Sequence, residues 1–175
     1  MGGSNLRCSC SYKFMLVSPD QLMHKIVILD NIRSAHNVGS IFRTADGAGA
    51  EKIYLLGYTP APRDRFGRVS AEIAKTSLGA SETIPWECVN TEDATTLLTR
   101  LKADGFEVVA IEQTSESISL QNFVPQPKVA YIFGNEIDGV SANLIKEADI
   151  VVEIPMLGMK ESLNVSVSAG IVLFH

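Results

Sequence analysis

Only three cysteines, Cys8, Cys10 and Cys88, occur among 175 residues. That is too few, and too odd a number, for a disulfide framework. Cys8-Ser-Cys10 has no matching Cys/His pair downstream, so no zinc site is expected. No run of about 18 apolar residues occurs, which leaves no candidate membrane span. The lead residues fit no targeting signal. Leu6 stands where a myristoylation pattern needs Ser or Thr, and Tyr12 to Val17 is too short and too polar in its flanks for a signal peptide. Positive charge is also scarce. Against 20 Asp+Glu there are 15 Lys+Arg, a net charge of −5, which argues against bulk attraction to nucleic acid. The absences together exclude a disulfide scaffold and a membrane protein, and they lead to the expectation of a reduced, cytoplasmic protein.

What is present is an ordinary globular composition, 46% hydrophobic and 20% charged. The length suits one domain. A short N-terminal lead is expected over residues 1–24, partly disordered or an expression remnant, with the domain over 25–175. Short apolar runs alternate with helical patterns. Lys25 to Asp30, Lys52 to Leu56, Glu107 to Ile111, Lys128 to Phe133 and Ile150 to Ile154 read as strands. Helices are expected over Asn37 to Gly47, with Asn37 as cap, and over Ala71 to Leu78, Thr91 to Ala103, Ser141 to Glu147 and from Ser162 to the end. Gln121 to Pro127 reads as an irregular connection. Continuous apolar strands separated by helices indicate an α/β fold, a mostly parallel sheet with helices on both faces. Ligands in such sheets sit at the carboxyl ends of the strands.

No G-x-G-x-x-G follows the first strand and no G-x-x-x-x-G-K-[ST] occurs anywhere, so a dehydrogenase or kinase of the usual nucleotide-binding kind is not expected. Gly47-Ala48-Gly49 reads as a helix C-cap. Three other stretches stand out. Asn37-Val38-Gly39-Ser40-Ile41-Phe42-Arg43-Thr44-Ala45-Asp46-Gly47 sets an Arg two turns into a helix. Ile132-Phe133-Gly134-Asn135-Glu136-Ile137-Asp138-Gly139 puts a glycine-flanked carboxylate just past a strand. Ile154-Pro155-Met156 followed by Ser162-Leu163-Asn164-Val165 joins a polar loop to a helix start. Each has a bland alternative. Arg43 can pair with Asp46, Glu136 and Asp138 can be turn residues, and Ser162 and Asn164 can be caps. Charge is also uneven. Residues 1–100 carry 11 Lys/Arg against 10 Asp/Glu, and residues 101–175 carry 4 against 10. The densest basic stretch is Arg63, Arg65, Arg68 and Lys75.

In order and spacing the three stretches resemble the motifs of the SpoU branch of the SPOUT methyltransferases, over roughly residues 25 to 175. Lys75-Thr76-Ser77-Leu78-Gly79-Ala80 is similar to the family's linker between strands two and three. The resemblance implies transfer of a methyl group from S-adenosyl-L-methionine to a ribose 2′-hydroxyl of RNA. It also implies a deep C-terminal trefoil knot, a homodimer through the knot region, and no metal. With few residues ahead of the first strand, the chain resembles the minimal catalytic form, and tRNA is expected over rRNA on that size. The chain stops at His175, where the family's last helix generally runs on.

By the same resemblance, Arg43, Asn37, Glu136, Ser162 and Asn164 are expected at the reactive end. Gly134, Ile154, Ser162, Leu163 and, more weakly, Glu112 are expected to contact the cofactor. A guanidinium keeps its proton to above about pH 12, which makes Arg43 a poor general base. The expectation is that Arg43 holds a phosphate or stabilises the 2′-oxyanion, oriented by a bidentate pair with Glu136. Proton removal falls to Glu136, a substrate phosphate or water. Arg33, Arg63, Arg65, Arg68 and Lys160 are expected to meet RNA phosphates. The alternative is a knotted RNA- or cofactor-binding module without catalysis.

Overall fold

The computed structural model describes residues 23–175. The Cys8-Ser-Cys10 segment and residues 1–22 of the expected lead lie outside the described residues. The strands are β1 (His24–Asp30), β2 (Ala50–Leu56), β3 (Trp86–Val89), β4 (Glu107–Ile111), β5 (Ile118–Ser119), β6 (Lys128–Phe133) and β7 (Ile150–Glu153). They form one sheet in the order β3-β2-β1-β6-β4-β7-β5, and every pairing is parallel. The helices are α1 (Ala35–Gly47), α2 (Ala71–Ser77), α3 (Ala80–Thr83), α4 (Ala94–Ala103), α5 (Ala142–Glu147) and α6 (Val165–Leu173). None among the described residues is long and apolar enough to cross a membrane.

Strand residues alternate between the two faces, and both faces are covered. Val27, Leu29, Ile53, Leu55, Tyr131 and Phe133 pack under Val38, Ile41 and Phe42 of α1, Ile73 of α2 and Ala169 and Leu173 of α6. Ile26, Ile28, Tyr54, Ala110 and Ile132 pack under Leu97, Leu98 and Leu101 of α4 and Leu144 of α5. This explains why the central strands read as unbroken apolar runs. Each fully buried Leu, Ile or Phe contributes about 1.5–3 kcal/mol.

Several boundaries differ from the sequence reading. Asn37 is not the cap of α1. Ser34 takes that place, its Oγ accepting from the Asn37 amide at 3.3 Å, and this frees the Asn37 side chain. The last helix begins at Val165, with Asn164 as its cap and Ser162 still in the preceding loop. The edge strands β3 and β5 escaped the pattern because they are short and half covered, and neither carries an apolar run.

Candidate functional site

The loop after β6 is closed on itself. The Asn135 amide donates to the Gly139 carbonyl (2.9 Å) and the Gly139 amide to the Asn135 carbonyl (3.0 Å). A side chain at Gly134 would overlap the main chain of Gly139 and Val140, so only glycine lets the loop fold back this tightly. Asn135 is buried. Its Oδ1 accepts from the Ile137 and Asp138 amides (2.8 and 3.2 Å), and its Nδ2 donates to the Asn31 carbonyl and the Tyr58 hydroxyl, both at 2.7 Å. Asp30, 2% exposed at the end of β1, accepts from the Ser141 amide (2.7 Å) and from Asn31 Nδ2 (2.9 Å). Glu112, just past β4, accepts from the Val140 amide and the Gln113 amide, both at 2.8 Å. Three neighbouring strand ends thus hold this loop in one shape. Sequence reasoning missed Asp30, Asn31, Tyr58 and Asn135 as site-builders. The available signal was a carboxylate ending an apolar strand, which no sheet needs for packing.

Beside the loop lies a cleft of about 230 Å³ at the carboxyl ends of β4, β6 and β7. Glu112, Gly134, Ile154, Ser162 and Leu163 all line it, so the structure brings together the whole set expected to meet the cofactor. Ile111, Phe133, Met156 and Val165 add apolar wall; Gln113, Asn135 and Glu136 add polar groups. Gln113 Nε2 donates to the Glu161 carbonyl at 2.8 Å and so joins the loop after β4 to the loop before α6. The Glu112 carboxylate is committed to backbone amides, so its part in the cleft is structural first.

Asn37, Glu136 and Asn164 form a chain at the rim. Asn164 Nδ2 donates to Asn37 Oδ1 (3.2 Å) and Asn37 Nδ2 to Glu136 Oε1 (2.9 Å). The Arg33 amide reaches Glu136 Oε2 at 3.3 Å. Partial burial alone pushes the Glu136 carboxyl up. The hydrogen bonds from Asn37 and from the amides of Glu136, Arg33 and Ser34 outweigh it and leave the group below its ordinary value.

Arg43 does not join this chain, and the expected Arg43–Glu136 pair is absent. Arg43 is exposed and lines a separate depression with Asp46, Ser77, Leu78 and Thr83. The reason is helical geometry. Arg43 is six residues beyond Asn37, which turns it roughly 240° around the α1 axis and moves it about 9 Å along it. Nor does Arg43 pair with Asp46, whose carboxylate accepts from the Thr83 hydroxyl at 3.4 Å.

The expected RNA-contacting residues are spread out. Arg63 pairs with Glu82 and Arg68 with Asp64, both at 2.6 Å. Arg65 lies over the Phe66 ring. Arg33 sits 3.7 Å from Asp138, and Tyr58 first, then Asp138 and Glu136, favour its charged form. Lys160 is exposed in the loop before α6.

A model of the SpoU rRNA Methylase family matches residues 24–174. The 23S rRNA (guanosine-2′-O-)-methyltransferase RlmB of Neisseria meningitidis serogroup B is 36% identical over 148 residues, 85% of this chain and 56% of that one. Among solved structures, the AdoMet-bound rRNA methyltransferase from Sinorhizobium meliloti is 34% identical with a TM-score of 0.76, covering 86% of this chain and 54% of that one. The A. aeolicus TrmH/SpoU tRNA modifying enzyme is 29% identical with a TM-score of 0.72, covering 88% and 75%. The chain spans little more than half the length of the N. meningitidis relative.

Proposed function

The chain belongs to the SpoU methylase family, and on that premise we propose that it transfers a methyl group from S-adenosylmethionine to a ribose 2′-hydroxyl of RNA in the cytoplasm. The observation that carries the reading is the cleft. Five residues separated by up to 51 positions in sequence, Glu112 to Leu163, line one cavity whose rim holds the Asn37–Glu136–Asn164 chain.

The cleft suits the cofactor chemically. It offers apolar wall from Ile111, Phe133, Ile154 and Leu163 beside the Ser162 hydroxyl and the loop main chain around Gly134, a mixture that fits a purine nucleoside. When bound, S-adenosylmethionine supplies a methyl group already activated on a sulfonium. The chain's own residues then mainly align the partners. Asn37, fixed from both sides by Glu136 and Asn164, holds the amide pair at the rim. Glu136 is exposed and kept ionised, and with only the Asn37 and Arg33 donors at hydrogen-bond distance among the described residues it can still accept the 2′-hydroxyl in a hydrogen bond. Its lowered pKa suits orientation better than full proton abstraction. Arg43 faces solvent and holds a substrate phosphate or stabilises the developing 2′-oxyanion, rather than taking a proton.

The knot and the homodimer belong to the same proposal. The segment 154–164 leads from β7 to α6 past the carboxyl ends of the strands, where Ile154, Met156, Ser162 and Leu163 line the cleft. α6 also presents Val167 and Ile171, and its C-terminal capping residue Phe174, outward on one side, 49%, 41% and 64% exposed. An exposed apolar side on a helix whose opposite side is buried in the core is a candidate contact surface, and a second copy of this chain is the proposed cover. Arg33, Arg63, Arg65, Arg68 and Lys160 are proposed to meet RNA phosphates. The tRNA preference expected on size gains no support from the relatives, and the name of the N. meningitidis relative favours rRNA.

Incubation with methyl-labelled S-adenosylmethionine and separated rRNA and tRNA, followed by nucleoside mass spectrometry, tests the reading. Label in a 2′-O-methyl nucleoside is expected. Cofactor binding without label in either RNA would replace this reading by the non-catalytic module.

A further inference from the structure

The turn between Arg63 and Val69 carries a feature that no charge argument accounts for. Phe66 stands at its tip, 68% exposed. The guanidinium carbons of Arg65 and Arg68 lie 4.8 and 5.2 Å from its ring centroid. The turn is built to hold the ring there. Asp64 Oδ1 accepts from the Phe66 and Arg68 amides (2.8 and 2.9 Å), and Asp64 Oδ2 takes Arg68 Nε at 2.6 Å. Arg63 and Val69 pair across the base of the turn, and Arg63 is fastened to Glu82. At the root of the segment, the Thr59 hydroxyl bonds both the Ile32 amide and the Leu29 carbonyl at 3.0 Å. Tyr58 meets Asn135 of the cleft loop. The segment that carries Phe66 is therefore tied to the elements that shape the cleft.

Resting on the RNA-modifying reading above, we propose that Phe66 is a stacking platform for one unpaired nucleobase of the RNA substrate, with Arg65 holding an adjacent phosphate. The ring has Arg65 and Arg68 beside it and Asp64 and Gly67 next in the turn, and the one other exposed hydrophobic of the turn is Val69 at its base, which is less than the apolar patch a protein partner needs. A base is the ligand that matches one ring flanked by cations. It has a π-face for the ring and phosphates beside it for the charge. Arg63 and Arg68 are already paired with carboxylates. Arg65 has no ion-pair partner among the described residues and is the cation left to bind. The platform selects unpaired RNA, because the bases of an A-form duplex are already stacked and its deep major groove is closed to side chains.

The test measures anisotropy of a short fluorescein-labelled single-stranded RNA, and of the same sequence as a duplex, across a salt series. Phe66→Ala is expected to weaken single-strand binding roughly 5- to 100-fold with the salt slope unchanged. Phe66→Trp retains binding, Phe66→Leu resembles Phe66→Ala, and duplex binding responds to none of them. Arg65→Ala is expected to lower the single-strand salt slope by roughly 0.7. An unaltered affinity in Phe66→Ala, full binding in Phe66→Leu, or equal losses on both RNAs would overturn the platform. Melting temperatures of the variants exclude unfolding as the cause of a loss. Methyl transfer by the unmutated chain is read in parallel. Transfer with no response to Phe66→Ala sinks the platform alone, whereas Phe66-dependent binding without transfer sinks the methyltransferase reading alone.

Discussion

Gly134→Ala separates two reasons for a glycine at the mouth of the cleft. One is approach of a ligand, and the other is closure of the protein on itself. The structure favours closure. A Cβ at this position would overlap the Gly139 carbonyl group and the Val140 nitrogen, all main-chain atoms with no rotamer to change. Relief requires the loop to open. Opening removes the paired Asn135–Gly139 bonds at 2.9 and 3.0 Å and strains the Val140 amide's bond to Glu112 at 2.8 Å. At about 1 kcal/mol net per bond, with residual strain of similar size, the loss comes to about 2–4 kcal/mol. A loss of about 3 kcal/mol lowers Tm by roughly 6–12 °C in a domain of this size. Urea denaturation followed by circular dichroism reads it directly, and isothermal calorimetry with S-adenosylmethionine reads the cleft. Both stability and cofactor affinity are expected to fall. Stability unchanged to within about 0.5 kcal/mol, with cofactor binding lost, would refute the closure argument and make the glycine a ligand-approach residue.

Three further outcomes follow from the same geometry. The folded-state pKa of Glu136 lies below its ordinary value, so the group stabilises the fold above about pH 4.3 and loses that contribution as pH falls through the lower, folded value. The stability gap between the unmutated chain and Glu136→Gln should therefore narrow on acidification in denaturation curves, and a widening gap would reverse the assignment. Arg43→Ala should abolish methyl transfer, by at least about 100-fold if the arginine stabilises developing charge. Calorimetry should show unchanged cofactor affinity, since Arg43 lies outside the cleft; lost affinity would mean the roles are misassigned. Ile171→Asp, on the outward side of α6 and 41% exposed, should convert a dimer to monomers in light scattering. A monomeric unmutated chain, or a dimer indifferent to the change, would remove α6 from the interface.

The sequence made the interior legible because burial imposes a pattern. Ile26 to Leu29 and Val129 to Phe133 are apolar without interruption since both faces of the sheet are covered, and their ends were placed to within a residue. Where burial is partial the pattern fades, and Trp86–Val89 and Ile118–Ser119 at the sheet edges left no trace in it. The site divides along similar lines. Gly134, Ile154, Ser162 and Leu163 were readable as motif residues because their order along the chain carries the resemblance. The loop that carries Gly134 is held by Asp30, Asn31 and Asn135, whose bonds run across 104 to 111 positions of sequence. No local spacing encodes such bonds. Arg43 marks the limit from the other side. Its place in a motif led to an expected pair with Glu136, yet six residues of helix carry it to a different face. A motif records which residues one reaction needs, and it leaves open whether a single chain brings them together. Arg43 beside the depression formed by Ser77 to Thr83, and the cleft behind Glu136, need a common substrate or a second copy of the chain to act on the same hydroxyl. The oligomeric state and the catalytic role of Arg43 are therefore one question. A monomer that keeps full transfer activity would require the RNA itself to bridge the two surfaces.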